Sequence, residues 1–239
     1  MIEDHPIQHP NCPDNGLLSF DNWEGTFESP MHNKKNQDKL PCFLAKLRRT
    51  GDDGAHDEVQ VVVKFVYNYS RRYGQVIHEY LHSLELAPCL YSAVDLHSGL
   101  VMVVMEHLTF QEGVGGWLEL DTFEKRLGNT MADVVKMKLE KTIDILQQQK
   151  MVHADLRPKN IMVGVDGQGH MKMRENEPAL SFIDFDWAGM VGEACYPPFL
   201  NPQIHWPEGA KAFTKVGKED DRILLQNWWV VFVQPTKSS

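Results

Sequence analysis

Asp155 and Asn160 have the residue types that proton transfer and metal binding require. Both lie in one short stretch, His153-Ala-Asp-Leu-Arg-Pro-Lys-Asn160, whose proline favours an irregular loop in which the two side chains can converge. A carboxylate can orient a hydroxyl group and accept its proton, and an amide oxygen can bind a divalent cation. The alternative is a proline-containing turn capped by the aspartate. The strand-like Ile-Met-Val that follows favours the chemical interpretation.

Asp184 is a second carboxylate that could take part in this chemistry. It ends the apolar run Leu180-Ser-Phe-Ile183 and lies downstream of Asn160. An aspartate after an apolar strand is ordinary turn chemistry when it stands alone. Because it follows the Asp155 loop, we interpret it as the main magnesium ligand. A zinc site made of His153 and Asp155 is a weaker alternative, since no third ligand has a suitable spacing.

Lys64 interrupts a run of β-branched residues, Val59-Gln-Val-Val-Val-Lys-Phe-Val66. A lysine inside a buried strand costs free energy unless its charge is used, for example to bind phosphate groups. A lysine whose ammonium group reaches solvent from the strand edge is equally compatible with the pattern. The run by itself leaves both interpretations open.

The composition is that of an ordinary globular protein. The chain has 239 residues, 42% of them apolar, and a formal net charge of −9. The acidic balance argues against nucleic acid or an anionic membrane as the main partner. The four cysteines are widely spaced, the N-terminus does not resemble a signal peptide, and Trp228–Val233 is too short to span a bilayer. We therefore expect an intracellular protein, cytoplasmic or nuclear.

The elements that must position these residues begin with a sheet. Residues 1–37 are rich in Pro, Asn, Asp and His and are predicted to form an irregular extension. Cys42–Leu47 and Val59–Tyr67 are predicted to form a β-hairpin. Apolar residues at helical spacing predict a helix over Tyr73–Leu86, stopped by Pro88, and Leu100–Leu108 is predicted to be a buried strand.

Helices dominate the second half. Thr130-Met-Ala-Asp133 resembles a capping box and predicts the start of a long helix. Asp166-Gly-Gln-Gly predicts a hairpin turn, and Asp220 or Asp221 is predicted to open a further helix. The apolar face of the long helix consists of Met131, Val135, Leu139, Ile143 and Leu146. The order of elements predicts an α+β fold with an N-terminal sheet lobe and a helical C-terminal lobe.

With these residues in view, the chain resembles the protein kinase superfamily. His153–Asn160 resembles the catalytic loop H-R-D-L-K-P-x-N, and Asp184-Phe-Asp186 resembles D-F-G. Val61-Val-Val-Lys64 stands where kinases carry their strand lysine, and Met105-Glu-His-Leu108 resembles the strand and hinge that meet adenine. In detail the motifs are most similar to the kinase-like proteins of mushroom-forming fungi, and more distantly to aminoglycoside and choline kinases.

The resemblance implies a bilobal fold, ATP and Mg²⁺ as cofactors, and a role for each matched residue. Residues 38–107 would form the N-lobe and residues 108–239 a C-lobe that is truncated. The implied roles are Asp155 as catalytic base, Asn160 and Asp184 on Mg²⁺, Lys64 on the ATP α- and β-phosphates, and Glu106 and Leu108 near adenine. Arg157 would either neutralise the transferred phosphate or form a structural salt bridge.

Several features depart from the kinase pattern. No G-x-G-x-x-G precedes Lys64, and Gly51 and Gly54 flank two aspartates that would repel phosphate. Glu79 is the best candidate to pair with Lys64, but a different alignment makes it a solvated helix-face residue. Ala154 replaces the arginine of H-R-D, so switching by loop phosphorylation is not expected. The early C-terminus predicts that a partner covers Trp228–Val233.

Three functions are compatible with these motifs. The first is an active kinase that transfers the ATP γ-phosphate to a protein serine or threonine. The second is a pseudokinase-like binding module, which the missing glycine-rich loop favours. The third is a small-molecule kinase, which Asp184-Phe-Asp186 favours, although the Arg-Pro-Lys after Asp155-Leu156 is not typical of such enzymes.

Overall fold

The structure is a computed structural model that describes most of the chain in two compact units. Unit 1 comprises residues 1–69 and 90–107, and unit 2 comprises residues 70–89 and 108–239. The two units are described separately below. The described residues are 17–20, 23–31, 42–49, 58–67, 73–96, 99–123 and 129–233.

Unit 1 is built on one six-stranded antiparallel sheet, in the order β1-β2-β3-β4-β6-β5. Its strands are β1 (Leu17–Phe20), β2 (Trp23–Pro30), β3 (Cys42–Arg49), β4 (Glu58–Tyr67), β5 (Leu90–Leu96) and β6 (Leu100–Glu106). Pairing of β3 with β4 confirms the predicted hairpin, and β6 confirms the predicted buried strand. The turn of the hairpin, with Gly51 and Gly54, lies outside the described residues.

Strand β4 shows why this sheet forms and where Lys64 lies in it. Val61, Val63 and Phe65 alternate onto one face, where they join the buried core. Lys64 occupies the opposite face and is half-buried. Its cross-strand partners are Cys42 and Val103. The lysine therefore interrupts the run without disturbing the core face.

The expectation of an irregular extension over residues 1–37 is wrong for β1 and β2. Both strands belong to the sheet, and β2 pairs with β3 along most of its length. Phe27 packs edge-on against Phe43, with ring centroids 5.4 Å apart. Short strands of this kind gain their stability from cross-strand packing, which their own polar composition does not reveal.

Within its described residues, unit 2 combines four α-helices and a 3-10 helix (Pro158–Asn160) with short strands. The helices are α1 (Gln75–Ser83), α2 (Leu120–Phe123), α3 (Asn129–Gln148) and α4 (Asp220–Phe232). The strands are β7 (Phe110–Gln111), β8 (Gly115–Glu119), β9 (Met151–Val152), β10 (Ile161–Val165), β11 (Met173–Arg174), β12 (Glu177–Pro178), β13 (Leu180–Phe182) and β14 (Gly189–Met190). None of the helices within the described residues is long and apolar enough to cross a membrane.

A four-stranded sheet, in the order β13-β10-β8-β7, supports the loops that carry the polar residues of unit 2. The turn predicted at Asp166 is confirmed, since its Oδ1 accepts hydrogen bonds from the backbone of Gln168 and His170 at 2.9 and 2.8 Å. Gly113, Gly115 and Gly116 lie in the hairpin of β7 and β8. A side chain at Gly116 (φ +137°) would lie 2.0 Å from the Thr109 carbonyl oxygen.

Helix α1 is shorter than predicted and buries only part of the predicted apolar face. A Schellman motif ends it, because Glu85 has φ 58° and the Leu86 N–H donates to the Leu81 carbonyl at 2.8 Å. The helix therefore stops well before Pro88. Val76 and Leu84, predicted on the apolar face, are exposed. The buried residues are Ile77, His78 and Leu81.

Helices α3 and α4 follow the sequence prediction more closely. Helix α3 begins at Asn129, so Thr130 is inside it and the predicted capping position is wrong by at least one residue. Its core face is confirmed for Val135, Leu139, Ile143 and Leu146, which are all buried. Helix α4 begins at Asp220, as predicted.

The apolar stretch at the end of α4 is only partly exposed. Trp229 and Phe232 are buried, whereas Val230, Val231 and Val233 are exposed. Helical spacing explains the division, since it turns the tryptophan and the phenylalanine toward the core and the valines outward. The expectation that the whole run lacks a cover is therefore wrong for Trp229 and Phe232, and Trp228 is half-buried.

Candidate active site

The loop that carries Asp155 is held by a buried carboxylate at the start of α4. Asp221 Oδ2 accepts a hydrogen bond from the His153 N–H at 2.7 Å, and Oδ1 accepts one from the Ala154 N–H at 2.8 Å. Ala154 has φ 67°, a left-handed conformation that costs a non-glycine residue about 1–2 kcal/mol. Two charge-assisted hydrogen bonds offset that cost. Burial raises the pKa of Asp221 to about 6.

Within the part of the chain that the structure describes, one oxygen of the Asp155 carboxylate receives all the hydrogen bonds that side chains make with this group. Arg157 donates to Oδ2 from Nη2 at 2.9 Å and from Nε at 3.1 Å. Asn160 donates to the same Oδ2 from Nδ2 at 2.7 Å, and also to the Asp155 carbonyl at 2.9 Å. None of these bonds uses Oδ1. The carboxylate is thus held in one orientation, with Oδ1 left to accept a proton.

The electrostatics of Asp155 suit proton transfer near neutral pH. Its carboxyl group is almost entirely buried. Its pKa is raised to about 7, because burial and, less strongly, the charge of Asp184 raise it more than Arg157 and Asn160 lower it. A carboxylate with a pKa close to the working pH can both take up and release a proton efficiently.

His153 has both ring nitrogens committed. Nε2 lies 3.1 Å from the Ile183 carbonyl oxygen and must donate to it, so Nδ1 is the acceptor that faces the Asp155 N–H at 3.4 Å. Burial lowers the pKa of His153 to about 4, so the ring is neutral at pH 7. Neither nitrogen is available to a metal. Among the described residues, no group of three or more His, Cys, Asp and Glu could hold a metal ion, which removes support for the zinc interpretation.

Asp184 lies at the end of β13, tied to the Asp155 loop through the backbone. The Ile183 N–H donates to the Asn160 carbonyl at 3.0 Å. Asp184 itself has φ 69°, an uncommon conformation for an aspartate outside a turn and one often found at functional sites. The charge of Asp184 contributes to the raised pKa of Asp155.

The donor atoms present fit a magnesium ion. The Nδ2 atom of Asn160 is committed to Asp155, which leaves the amide oxygen as the atom that can bind a cation. Asp184 adds a carboxylate, and oxygen-only donor sets suit Mg²⁺. Asp186, to which the sequence interpretation gave no role, follows in the same loop and has a buried carboxylate oxygen.

Phe185 is enclosed by three aromatic rings, and sequence reasoning missed the roles of two of them, His78 and Tyr73. The His78 ring stacks on it, with centroids 4.4 Å apart and planes at 17°, and the His153 ring packs from another direction at 5.2 Å. Tyr73 meets it edge-on at 6.5 Å. The only sequence signal was a histidine on the apolar face of α1, and such a residue usually has only a packing role.

The other predicted site residues lie elsewhere in the two units. Lys64 and Glu106 belong to unit 1, where Glu106 is exposed at the end of β6. Leu108 belongs to unit 2 and is half-buried. Glu79 is exposed on α1, and its Oε1 accepts a hydrogen bond from Gln75 Nε2 at 2.8 Å. This environment favours the solvated helix-face interpretation of Glu79.

The mixed α/β architecture with antiparallel sheets is similar in fold to a solved kinase. Among solved structures, the chain is similar to the kinase PK-1 of Cydia pomonella granulovirus, with a TM-score of 0.51 and 16% sequence identity. The match covers 87% of this chain and 65% of that one, so the chain spans about two thirds of the viral kinase. No protein-family model and no curated protein sequence matches the chain. At this identity the likeness is one of fold.

Proposed function

We propose that the chain is an ATP-dependent phosphotransferase of the protein kinase type. The observation that carries the proposal is the orientation of the Asp155 carboxylate, with Oδ2 held by Arg157 and Asn160 and Oδ1 left for a proton. A kinase-like fold with a buried carboxylate of this kind next to an amide oxygen donor is suited to phosphoryl transfer, in which positioning supplies most of the catalysis.

In the proposed reaction, Asp155 Oδ1 accepts the proton of an acceptor hydroxyl group. The hydroxyl oxygen bonds to the γ-phosphorus of ATP, and the bond from that phosphorus to the β–γ bridging oxygen breaks, releasing ADP. Because Arg157 already makes two hydrogen bonds to Asp155, we assign it the orientation of the base. Of the two roles that the sequence allowed for Arg157, neutralising the transferred phosphate or forming a structural salt bridge, this is the salt bridge.

The cofactor roles follow the kinase resemblance residue by residue. Asn160 and Asp184 would hold Mg²⁺, which when bound neutralises charge on the phosphates. Lys64 would bind the α- and β-phosphates, and Glu106 and Leu108 would meet adenine. The surroundings of Glu79 favour a solvated helix face over a role beside Lys64.

We propose a protein serine or threonine as the acceptor, because Asp155-Leu-Arg-Pro resembles the catalytic loop of protein kinases more than that of small-molecule kinases. The closer resemblance to the fungal kinase-like proteins rests on the same motifs together with Trp206-Pro-Glu-Gly209. A kinase of this type would meet its protein substrates inside the cell.

Two measurements test the proposed function. Thermal unfolding is followed with and without Mg-ATP, and saturation at about a hundred times Kd should stabilise the protein by about 2.7 kcal/mol. Transfer of labelled γ-phosphate to a serine/threonine peptide library is then compared with transfer to aminoglycosides and choline. Asp155→Asn should abolish transfer, whereas Asp133→Asn, an exposed change on α3, should not. No stabilisation at millimolar Mg-ATP would favour a binding module without catalysis.

A further inference from the structure

The segment that precedes helix α1 packs directly against the loop that carries Asp184 and Asp186. The Gly74 N–H donates a hydrogen bond to the Phe185 carbonyl oxygen at 3.1 Å. A Cβ atom at Gly74 would lie 2.6 Å from the Ala188 Cβ and 2.7 Å from that same carbonyl oxygen. Only glycine permits this approach, so the backbone of the segment and the backbone of the loop are in direct contact.

Next to this contact, a buried hydroxyl group determines the state of His78. The Nε2 atom of His78 lies 2.9 Å from the Pro88 carbonyl oxygen, which can only accept, so Nε2 carries the hydrogen. Nδ1 is then an acceptor, and the Tyr73 hydroxyl group, 2.7 Å away, donates to it. Tyr73 and His78 are both buried. Both nitrogens of the ring are thereby satisfied with the ring neutral and in one orientation.

This orientation places the flat face of His78 on Phe185. Phe185 has no exposed surface and lies between the two carboxylates of the loop, so its position determines theirs. Because Asp184 adopts φ 69°, the loop needs support from its surroundings to keep that conformation. The stacked His78 ring and the Gly74 hydrogen bond supply that support from one side, and His153 supplies it from another.

We propose that the Tyr73–His78 hydrogen bond is a latch that positions the loop Asp184–Asp186, with Tyr73 and His78 acting as positioning residues. Its link to cation binding rests on the proposed function, but its effect on the loop does not. Loss of the hydroxyl group would leave the buried His78 Nδ1 without its donor and remove the restraint on the ring that supports Phe185.

The test is Tyr73→Phe, which keeps the ring and removes only the hydroxyl group. Tyr196→Phe is the matched control, because it removes another largely buried hydroxyl group, which donates to Asp220 Oδ2 at 2.8 Å. Hydrogen exchange of the amides in 183–188 is measured by mass spectrometry without nucleotide. Binding of Mn²⁺ alone is measured by electron paramagnetic resonance.

Tyr73→Phe should speed exchange in 183–188 at least tenfold more than in α3 and weaken Mn²⁺ binding several-fold, and Tyr196→Phe should do neither selectively. Equal changes in 183–188 and in α3 would overturn the latch. Selective exchange in a protein that binds no Mn²⁺ would keep the latch and count against the proposed function.

A second measurement, on the unmodified protein, tests the latch if the Tyr73→Phe variant does not fold. In the ring-nitrogen NMR spectrum of the unmodified protein, His78 should be the neutral Nε2–H form, with Nδ1 shifted by a strong hydrogen bond. A ring protonated at Nδ1 would contradict the latch.

Discussion

The imidazole of His78 lies flat on the ring of Phe185, with centroids 4.4 Å apart and planes at 17°. Through this contact, helix α1 supports the loop between β13 and β14 that carries Asp184 and Asp186. The contact requires a neutral imidazole in a largely apolar environment. Burial accordingly lowers the pKa of His78 to about 4.

Mild acid should therefore weaken the contribution of His78 to stability, while the raised pKa values of Asp155 and Asp221 act in the opposite direction. The unfolded chain takes up the His78 proton near pH 6.5 and the folded protein only near 4, so the contribution of His78 to the free energy of unfolding falls across that window. Across this window, the contribution of His78 to the free energy of unfolding should fall by about 3 kcal/mol. His82 on α1 and His153 across Phe185 also disfavour its protonation.

His78→Gln tests this share, because glutamine keeps a donor and an acceptor but does not titrate. Urea denaturation between pH 7 and pH 4 should show that the stability of the unmodified protein falls relative to that of the variant. His153, whose pKa is also lowered to about 4 by burial, titrates in both proteins and cancels in this comparison. Identical pH profiles for the two proteins would contradict the assignment.

Asp221→Ala should destabilise unit 2 strongly. The change leaves the N–H groups of His153 and Ala154 without their acceptor, and Ala154 would no longer be held in its left-handed conformation. Each buried N–H group left without an acceptor costs roughly 1–3 kcal/mol. Chemical denaturation measures it, with the exposed Asp133→Ala as a control that should stay within about 0.5 kcal/mol.

Arg157→Ala should raise the pKa of Asp155 further. The guanidinium group is the main influence that opposes burial in setting that pKa, which is already raised to about 7. Carbon-detected NMR titration of the Asp155 carboxyl group in the metal-free protein would follow the shift. Arg157→Lys should give a smaller increase, since it keeps the charge and loses the two-pronged geometry. A fall in the pKa would contradict the geometry of this ion pair.

Glu79→Gln should change little. Glu79 is exposed, and it accepts a hydrogen bond from Gln75, one turn earlier on α1. Stability should stay within about 0.5 kcal/mol, and the KM for ATP should not change. Lys64→Met, measured in the same phosphate-transfer assay, should abolish activity if Lys64 binds the phosphates. An equal loss in both variants would instead make Glu79 the partner of Lys64.

Much of the secondary structure could be predicted from local patterns. The β3–β4 hairpin, strand β6, the core face of α3, the Asp166 turn and the start of α4 all follow from apolar periodicity and turn residues. The predictions failed for short strands that depend on distant parts of the chain and for one helix end. Strands β1 and β2 depend on cross-strand packing. Helix α1 ends at Ser83, just before the left-handed Glu85, and glutamate has no preference for that conformation.

By itself, the sequence determined which residues can do chemistry. Asp155, Arg157 and Asn160 are close along the chain, so one loop was enough to predict that they act together. The tertiary structure alone decided which carboxylate oxygen is left to accept a proton and which buried groups hold the site. Tyr73, His78 and Asp221 reach the loops from distant parts of the chain. Their roles depend on burial and on hydrogen bonds between distant segments, and local spacing records neither.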